Sequence, residues 1–233
     1  MIKVLATGSS GNSYIVSARG ENLLVELGIN FKTIKKDLDF DLSNVVGALI
    51  THEHKDHCKG VKEALNNGID VYMSAGTKEG IGIEHHRIHI VKSKETFKIG
   101  DFTILAFNSQ HDVNEPLGFL IYHPEFGKIL FATDTYYLEY KFNDCDYIMI
   151  ECNYDEDILP QLSPWRSRTI KSHMSMQTCI ETLKTWDLRK CKKILLIHLS
   201  HDNGSPDKFR EEVQKATGIE TIIAKKGVNL WKK

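Results

Sequence analysis

Three histidines and an aspartate stand within six residues in the stretch Ile50-Thr51-His52-Glu53-His54-Lys55-Asp56-His57. Neutral imidazole nitrogen and carboxylate oxygen are the ligands that hold zinc and similar divalent ions. In an extended segment residues i and i+2 project to the same side, so His52 and His54 can clamp one ion. Asp56 and His57 lie where the chain turns toward the next helix and can face a second. The run before them, Val45-Val46-Gly47-Ala48-Leu49-Ile50, reads as a buried strand. Packing gives no reason to end a core strand in so much imidazole and carboxylate. A polar surface loop that happens to be rich in histidine is the competing reading, and metal binding explains the pattern more directly.

The same arrangement recurs along the chain. Glu26 ends Leu23-Leu24-Val25, and His111 follows the apolar strand 102–107. Asp134 follows Ile129-Leu130-Phe131-Ala132-Thr133, and His198 ends Ile194-Leu195-Leu196-Ile197. A β scaffold can aim side chains at its strand ends toward one point. The elements that must do so are strands at 2–6, 14–16, 22–27, 45–50, 71–73, 88–91, 95–99, 102–107, 118–122, 128–132, 147–151, 193–198 and 220–224. Helical spacing covers 31–38, 60–67, 75–82, 175–186 and 206–216, and residues 154–172 read as irregular. Strands dominate the first half, and strand alternates with helix in the second. That order predicts an α/β fold, an αββα sandwich of two packed sheets with helices outside, in a single domain over residues 1–233.

The segment His52-Glu53-His54-Lys55-Asp56-His57 resembles the HxHxDH signature of the metallo-β-lactamase superfamily. His111, Asp134 and His198 match that superfamily's further ligands in order and approximate spacing. The resemblance implies two divalent ions, Zn or Mn. His52, His54 and His111 would hold one, Asp56, His57 and His198 the other, and Asp134 would bridge them. Several strings are similar to the YycJ/WalJ-like group of DNA exonucleases: Leu5-Ala6-Thr7-Gly8-Ser9-Ser10-Gly11-Asn12, His111-Asp112 with Glu115-Pro116, Pro164-Trp165, and His198-Leu199-Ser200-His201-Asp202-Asn203. One departure is Glu26, where the family usually carries Asp behind the metal loop. Glu151 and His173 resemble the Glu and His pair of the phosphodiesterase branches, in which the His lies beside the scissile phosphate and the Glu orients it.

Other residues carry weaker signals. Trp165, Arg166, Arg168 and Lys171 form a basic, aromatic-containing loop before His173, suited to phosphate contact and base stacking or simply solvated. His201 and Asn203, just past a ligand, are candidate substrate contacts. The turn Thr7-Gly8-Ser9-Ser10-Gly11-Asn12-Ser13 could offer backbone N–H groups to a phosphate. It lacks a Walker ending, and a hairpin loop packed beside the site is the plainer reading. His85, His86 and His89 read as solvated surface, His123 as a turn residue, Cys58 as facing away from the metals, and Cys152 as core.

Lys+Arg is 30 against Asp+Glu 31, so nucleic-acid binding must use a local patch. Five cysteines without a CxxC pair argue against a disulfide framework and for a reduced, cytoplasmic setting. Residues 1–5 read as a strand start rather than a signal peptide, and no apolar run is long enough to span a membrane. The expected activity is a dinuclear-metal-dependent phosphodiesterase, foremost a DNA exonuclease. A cyclic or other small-nucleotide phosphodiesterase comes next, then an RNase, and from another class a non-catalytic metal-stabilised binding module. The partners are nucleic acid, DNA ahead of RNA, or a small nucleotide; no membrane is implied.

Overall fold

The structure is a computed structural model, and it describes residues 1–164, 167, 170–200 and 203–230. Two seven-stranded sheets face each other. The first contains β1 (Ile2–Ala6), β2 (Ser13–Ala18), β3 (Glu21–Val25), β4 (Val45–Leu49), β5 (Val71–Met73) and β6 (Ile88–Ile90), with β14 (Asn229–Leu230) added outside β1. The second contains β7 (Thr96–Ile99), β8 (Phe102–Asn108), β9 (Leu117–His123), β10 (Gly127–Ala132), β11 (Tyr147–Glu151), β12 (Lys193–Ile197) and β13 (Thr221–Ile223), in consecutive order. Each sheet joins an antiparallel flank to a parallel one: β3 through β6 run parallel, and so do β10 through β13.

The period-2 pattern explains the layers. Along β10, Ile129 and Phe131 enter the core between the sheets, while Leu130 and Ala132 face the helices outside. β11 and β12 divide their side chains the same way. A strand buried on both faces must be apolar throughout, which is why these segments read as continuous runs. The outer layer on the first sheet is α1 (Phe31–Asp37), α2 (Lys55–Cys58), α3 (Val61–Asn66) and α4 (Ala75–Ile81). On the second it is α5 (Met176–Lys184) and α6 (Pro206–Thr217). Their starts are written in the sequence: Asn30, Ser74, Ser175 and Ser205 each accept a first-turn backbone N–H.

The expected αββα sandwich is therefore what forms, with small differences at its margins. The stretch 154–172 contains a 3-10 helix, Glu156–Gln161, around an internal proline. β14 has only two residues, too few for any periodic pattern. His123 is not a solvent-facing turn residue. It ends β9 fully buried against Phe102 and Phe126, its Nδ1 accepting the Glu125 N–H.

Phe131 crosses the space between the sheets, its buried ring 5.3 Å from that of Tyr14 in an edge-to-face contact. Phe131→Ala should cost about 3–5 kcal/mol. A lower urea midpoint at unchanged slope would show it, and an unshifted midpoint would place the inter-sheet anchor elsewhere.

Candidate metal centre

The parallel strands all end at one edge of the sandwich, and the ionisable residues follow their last apolar positions. Three of these residues bend the chain sharply. Glu26, Asp134 and His198 have φ of +65°, +42° and +52°, a region that side chains other than glycine rarely enter. Each such backbone costs on the order of 1–3 kcal/mol, and such residues cluster at functional sites. The turn directs each side chain across the strand ends instead of along them.

The motif itself is held by backbone contacts. The Asp56 carbonyl accepts the Asn12 N–H at 2.7 Å, the Asn12 carbonyl accepts the Gly28 N–H at 2.8 Å, and the His57 carbonyl accepts the Leu27 N–H at 2.9 Å. A Cβ at Gly28 would lie 1.6 Å from the Asp56 oxygen, so only glycine permits this approach. The Gly/Ser loop is thereby a packing element of the site. Its Gly8, Gly11 and Asn12 amides already donate to Asn12 Oδ1, the Gly8 carbonyl and the Asp56 carbonyl, so they are not free for a phosphate.

The expected ligands come together in two neighbouring groups, His52, His54 and His111 in one and Asp56, His57, Asp134 and His198 in the other. His54 Nδ1 lies 3.2 Å from His52 Nε2 and 3.4 Å from His111 Nε2. Two nitrogens each about 2.0–2.1 Å from a tetrahedral ion stand about 3.3 Å apart. Both distances match that spacing. His57 Nε2 stands 3.4 Å from both Asp56 and Asp134, and His198 Nε2 3.6 Å from Asp56. Asp134 Oδ2 lies between the groups, 3.8 Å from His52 and 3.9 Å from His111. The buried His198 Nε2 has no hydrogen-bond partner among the described residues, and a metal ion would satisfy it. The donor sets fit divalent metal.

The far ring nitrogens find the supports that metal-binding imidazoles need. His52 Nδ1 is 2.9 Å from Thr51 Oγ1, and His111 Nδ1 is 3.1 Å from the Ser172 carbonyl. His198 Nδ1 is 3.1 Å from Glu151 Oε1. His57 Nδ1 lies 3.4 Å from Glu26 Oε2, an ion-pair distance rather than a hydrogen bond, while Glu26 Oε1 accepts the Thr51 N–H. Asn153 Nδ2 adds a contact to His198 Nδ1, while Asn12 Nδ2 meets His57 on its other nitrogen, Nε2, at 3.1 Å. Of these supports, sequence reading identifies only Glu26 and Glu151. Thr51 and the two asparagines resemble ordinary turn residues, and a backbone carbonyl leaves no sequence signal.

Electrostatics follow from burial set against neighbours. Burial favours neutral carboxyls, and at Glu26 it prevails and raises the pKa. At Asp134 burial is outweighed by His198, His57 and His52, which hold the carboxyl well below the usual range. Burial also opposes charge on His198, yet Asp134, Asp56 and Glu151 push it up to about 10. His57 is raised for the same reason, chiefly by Asp134 and Glu26. His52 and His111 shift down, burial being the largest cause, so both stand neutral and ready to coordinate.

Glu151 and His173 meet as expected, His173 Nδ1 lying 2.7 Å from Glu151 Oε1. The other Glu151 oxygen accepts the Thr135 and Met174 N–H groups. His173 stacks on His198 with ring centroids 5.3 Å apart. Lys171 is exposed nearby in sequence, whereas Asn203 is buried with its carbonyl accepting the Asp155 N–H. Trp165, Arg166, Arg168 and His201 lie outside the described residues. His89 is drawn to Asp70 at 3.1 Å and stacks on Tyr72, away from the centre. Cys58 turns its thiol to the Glu53 carbonyl, and all five cysteines are free.

Residues 31–199 match the Beta-lactamase superfamily domain. The chain belongs to that superfamily. It is 30% identical to a protein of Streptococcus pneumoniae named exodeoxyribonuclease WalJ, covering 86% of this chain and 81% of that one. It is also 30% identical to the exodeoxyribonuclease YycJ of Bacillus anthracis, with 91% and 87% covered. The metallo-β-lactamase fold protein YhfI from Bacillus subtilis superposes with a TM-score of 0.77 at 18% identity over 97% of both chains. Human tRNase Z, short form, does so with 0.66 at 16% identity, again over 97% of both chains. These two solved structures share the fold. Family, fold and donor set together make the chain a metal-dependent hydrolase. Among the described residues no helix is long and apolar enough to cross a membrane.

Within the motif, Glu53 points away from the metals. Its Oε1 accepts the Asn114 N–H at 3.1 Å, and its side chain passes over Gly80, where a Cβ would come within 2.6 Å. It thus ties the loop that carries His111 to the motif and to α4. Glu53→Ala should weaken metal affinity by roughly 10–100-fold, measured by chelator competition. Unchanged affinity would show that the loop holds His111 without it.

Proposed function

We propose that this chain is a dinuclear-metal-dependent phosphodiesterase acting on DNA, and an exonuclease in particular. The observation that carries this reading is the Glu151–His173 contact at 2.7 Å, set beside both donor groups. Hydrolysis of a thioester has no use for such a pair, because a thiolate departs without a proton. A phosphodiester has, because its leaving alkoxide needs a proton. The names of the two relatives, exodeoxyribonucleases of Streptococcus pneumoniae and Bacillus anthracis, support DNA as the substrate.

In this reading His52, His54 and His111 would hold one divalent ion, Zn or Mn, and Asp56, His57 and His198 would hold a second, with Asp134 available to both. When bound, such ions polarise phosphoryl oxygens and make a water-derived nucleophile available near neutral pH. Asp56, with 24% of its side chain exposed, is the acidic donor open to solvent and orients the attacking water. Glu151 accepts the His173 Nδ1 proton, which turns Nε2 toward the substrate. Burial disfavours charge on His173, but Glu151 raises its pKa above the ordinary value, so the ring holds a proton for the leaving oxygen. Lys171, exposed two residues before His173, contacts a neighbouring phosphate, with Arg166, Arg168 and His201 as further substrate contacts, while the buried Asn203 is set aside.

Asp56→Asn should lower kcat/KM on DNA by at least about 100-fold, about 2.7 kcal/mol of transition-state stabilisation. His173→Ala should lose roughly 10²–10⁴-fold on DNA. That loss should shrink on a p-nitrophenyl ester, whose leaving group needs no proton. Equal losses on both would remove His173 as the acid. Duplex DNA, single strands, RNA and cyclic mononucleotides supplied with Mn²⁺ or Zn²⁺ decide the substrate, and cleavage of cyclic nucleotides alone would overturn the exonuclease.

A further inference from the structure

Two tyrosines beside the centre have no part in the chemistry above. Tyr136 and Tyr137 follow the strap Thr133-Asp134-Thr135 and are 44% and 37% exposed, among the most exposed large apolar residues described. Their ring centroids stand 4.8 Å apart, with planes inclined at 59°.

Exposed rings are ordinarily mobile, but the backbone that carries these two is fastened. The Thr135 N–H donates to Glu151 Oε2 at 2.8 Å, and its buried hydroxyl donates to the Tyr137 carbonyl at 2.6 Å. That hydroxyl oxygen also accepts the Gln110 N–H at 2.8 Å, and the Gln110 carbonyl accepts the Tyr136 N–H at 3.0 Å. Glu139 Oε1 accepts from both Gln110 Nε2 and the Tyr137 hydroxyl, at 2.8 and 3.2 Å. The segment bearing the rings is therefore fixed to Glu151, to the residue before His111 and to Asp134 two positions earlier. It begins two residues after Asp134 and hangs from the same Glu151 carboxylate that meets His173 and His198.

We infer that Tyr136 and Tyr137 form a stacking platform for a nucleobase flanking the scissile phosphodiester, an inference that rests on the phosphodiesterase reading. A pre-ordered aromatic face loses little entropy when a base settles on it, and stacking accepts every base because each has a π-face. The carboxylate of Glu139 sits against Tyr137 and repels phosphate, so the platform takes the neutral base and leaves the backbone to the metal side. It gives the enzyme a grip on nucleotides that needs no basic groove, in keeping with a chain whose net charge is −1. The grip is independent of base identity, which suits an enzyme that degrades a strand through any sequence.

The test uses fluorescence anisotropy of metal-free protein with two labelled oligonucleotides of equal length and charge, one of thymidylates and one of abasic residues. The wild type should prefer the base-bearing strand by roughly 5–150-fold, the range for one stacked base. The Tyr136→Ala/Tyr137→Ala variant should lose most of that preference, and the Tyr136→Phe/Tyr137→Phe variant should keep it. A wild type without preference, or an alanine variant that retains it, overturns the platform. Hydrolysis of the same thymidylate strand with Mn²⁺ is read separately. Its absence alongside a tyrosine-dependent preference would reject the phosphodiesterase and leave a base-binding site in place.

Discussion

A carboxylate with almost no access to water sits at the centre of this molecule. Asp134 is 2% exposed, yet its Oδ2 stands within 4 Å of His52, His57, His111 and His173. A lone buried anion on this scale would cost several kcal/mol. It survives because imidazoles from both sheets surround it, and because the metal ions those groups suit would complete the compensation. This oxygen lies within one donor group and 3.8–3.9 Å from two histidines of the other, so the spacing of both depends on the same few atoms of β10 and the turn that follows. The edge-to-face contact of Tyr14 with Phe131, three residues before Asp134, joins the sheets beneath it.

The backbone pays for this convergence at the strand ends. Glu26, Asp134 and His198 all adopt left-handed φ, and the tight approach of Gly28 to the Asp56 carbonyl admits no side chain. A strand alone sends its side chains up and down the pleat. These turns redirect them to a common point. Glu151 then couples three jobs through two oxygens. It orients His173, supports His198, and fixes the Thr135 and Met174 amides. The residue proposed to move a proton and a residue proposed to hold metal thus share one support, and so does the segment that leads to the exposed tyrosines.

Glu26 illustrates how one methylene redistributes a contact. The usual family residue there is Asp. Here the longer side chain accepts the Thr51 N–H with one oxygen and leaves the other 3.4 Å from His57. Its own burial keeps it less acidic than an ordinary glutamate. The acid holds the loop in register through the backbone of Thr51 as much as through the ring of His57.

Much of this was open to reading in the chain alone. Apolar runs of period 2 or without interruption mark the strands, and Ser and Asn caps mark the helices. Histidine and aspartate straight after such runs mark the candidate metal ligands, since no core would choose them. Those signals are local, and local chemistry is what a single sequence carries. The tertiary structure alone decided which ring nitrogen meets which partner: the Thr51 hydroxyl for His52, the Ser172 carbonyl for His111, and the Asn12 and Asn153 side-chain amide nitrogens for His57 and His198. It also turned Glu53 to the Asn114 amide and left Tyr136 and Tyr137 exposed two and three residues past Asp134. These contacts join residues up to 61 positions apart through backbone atoms and turns. No residue type announces them, because they exist only once the two sheets have closed on each other.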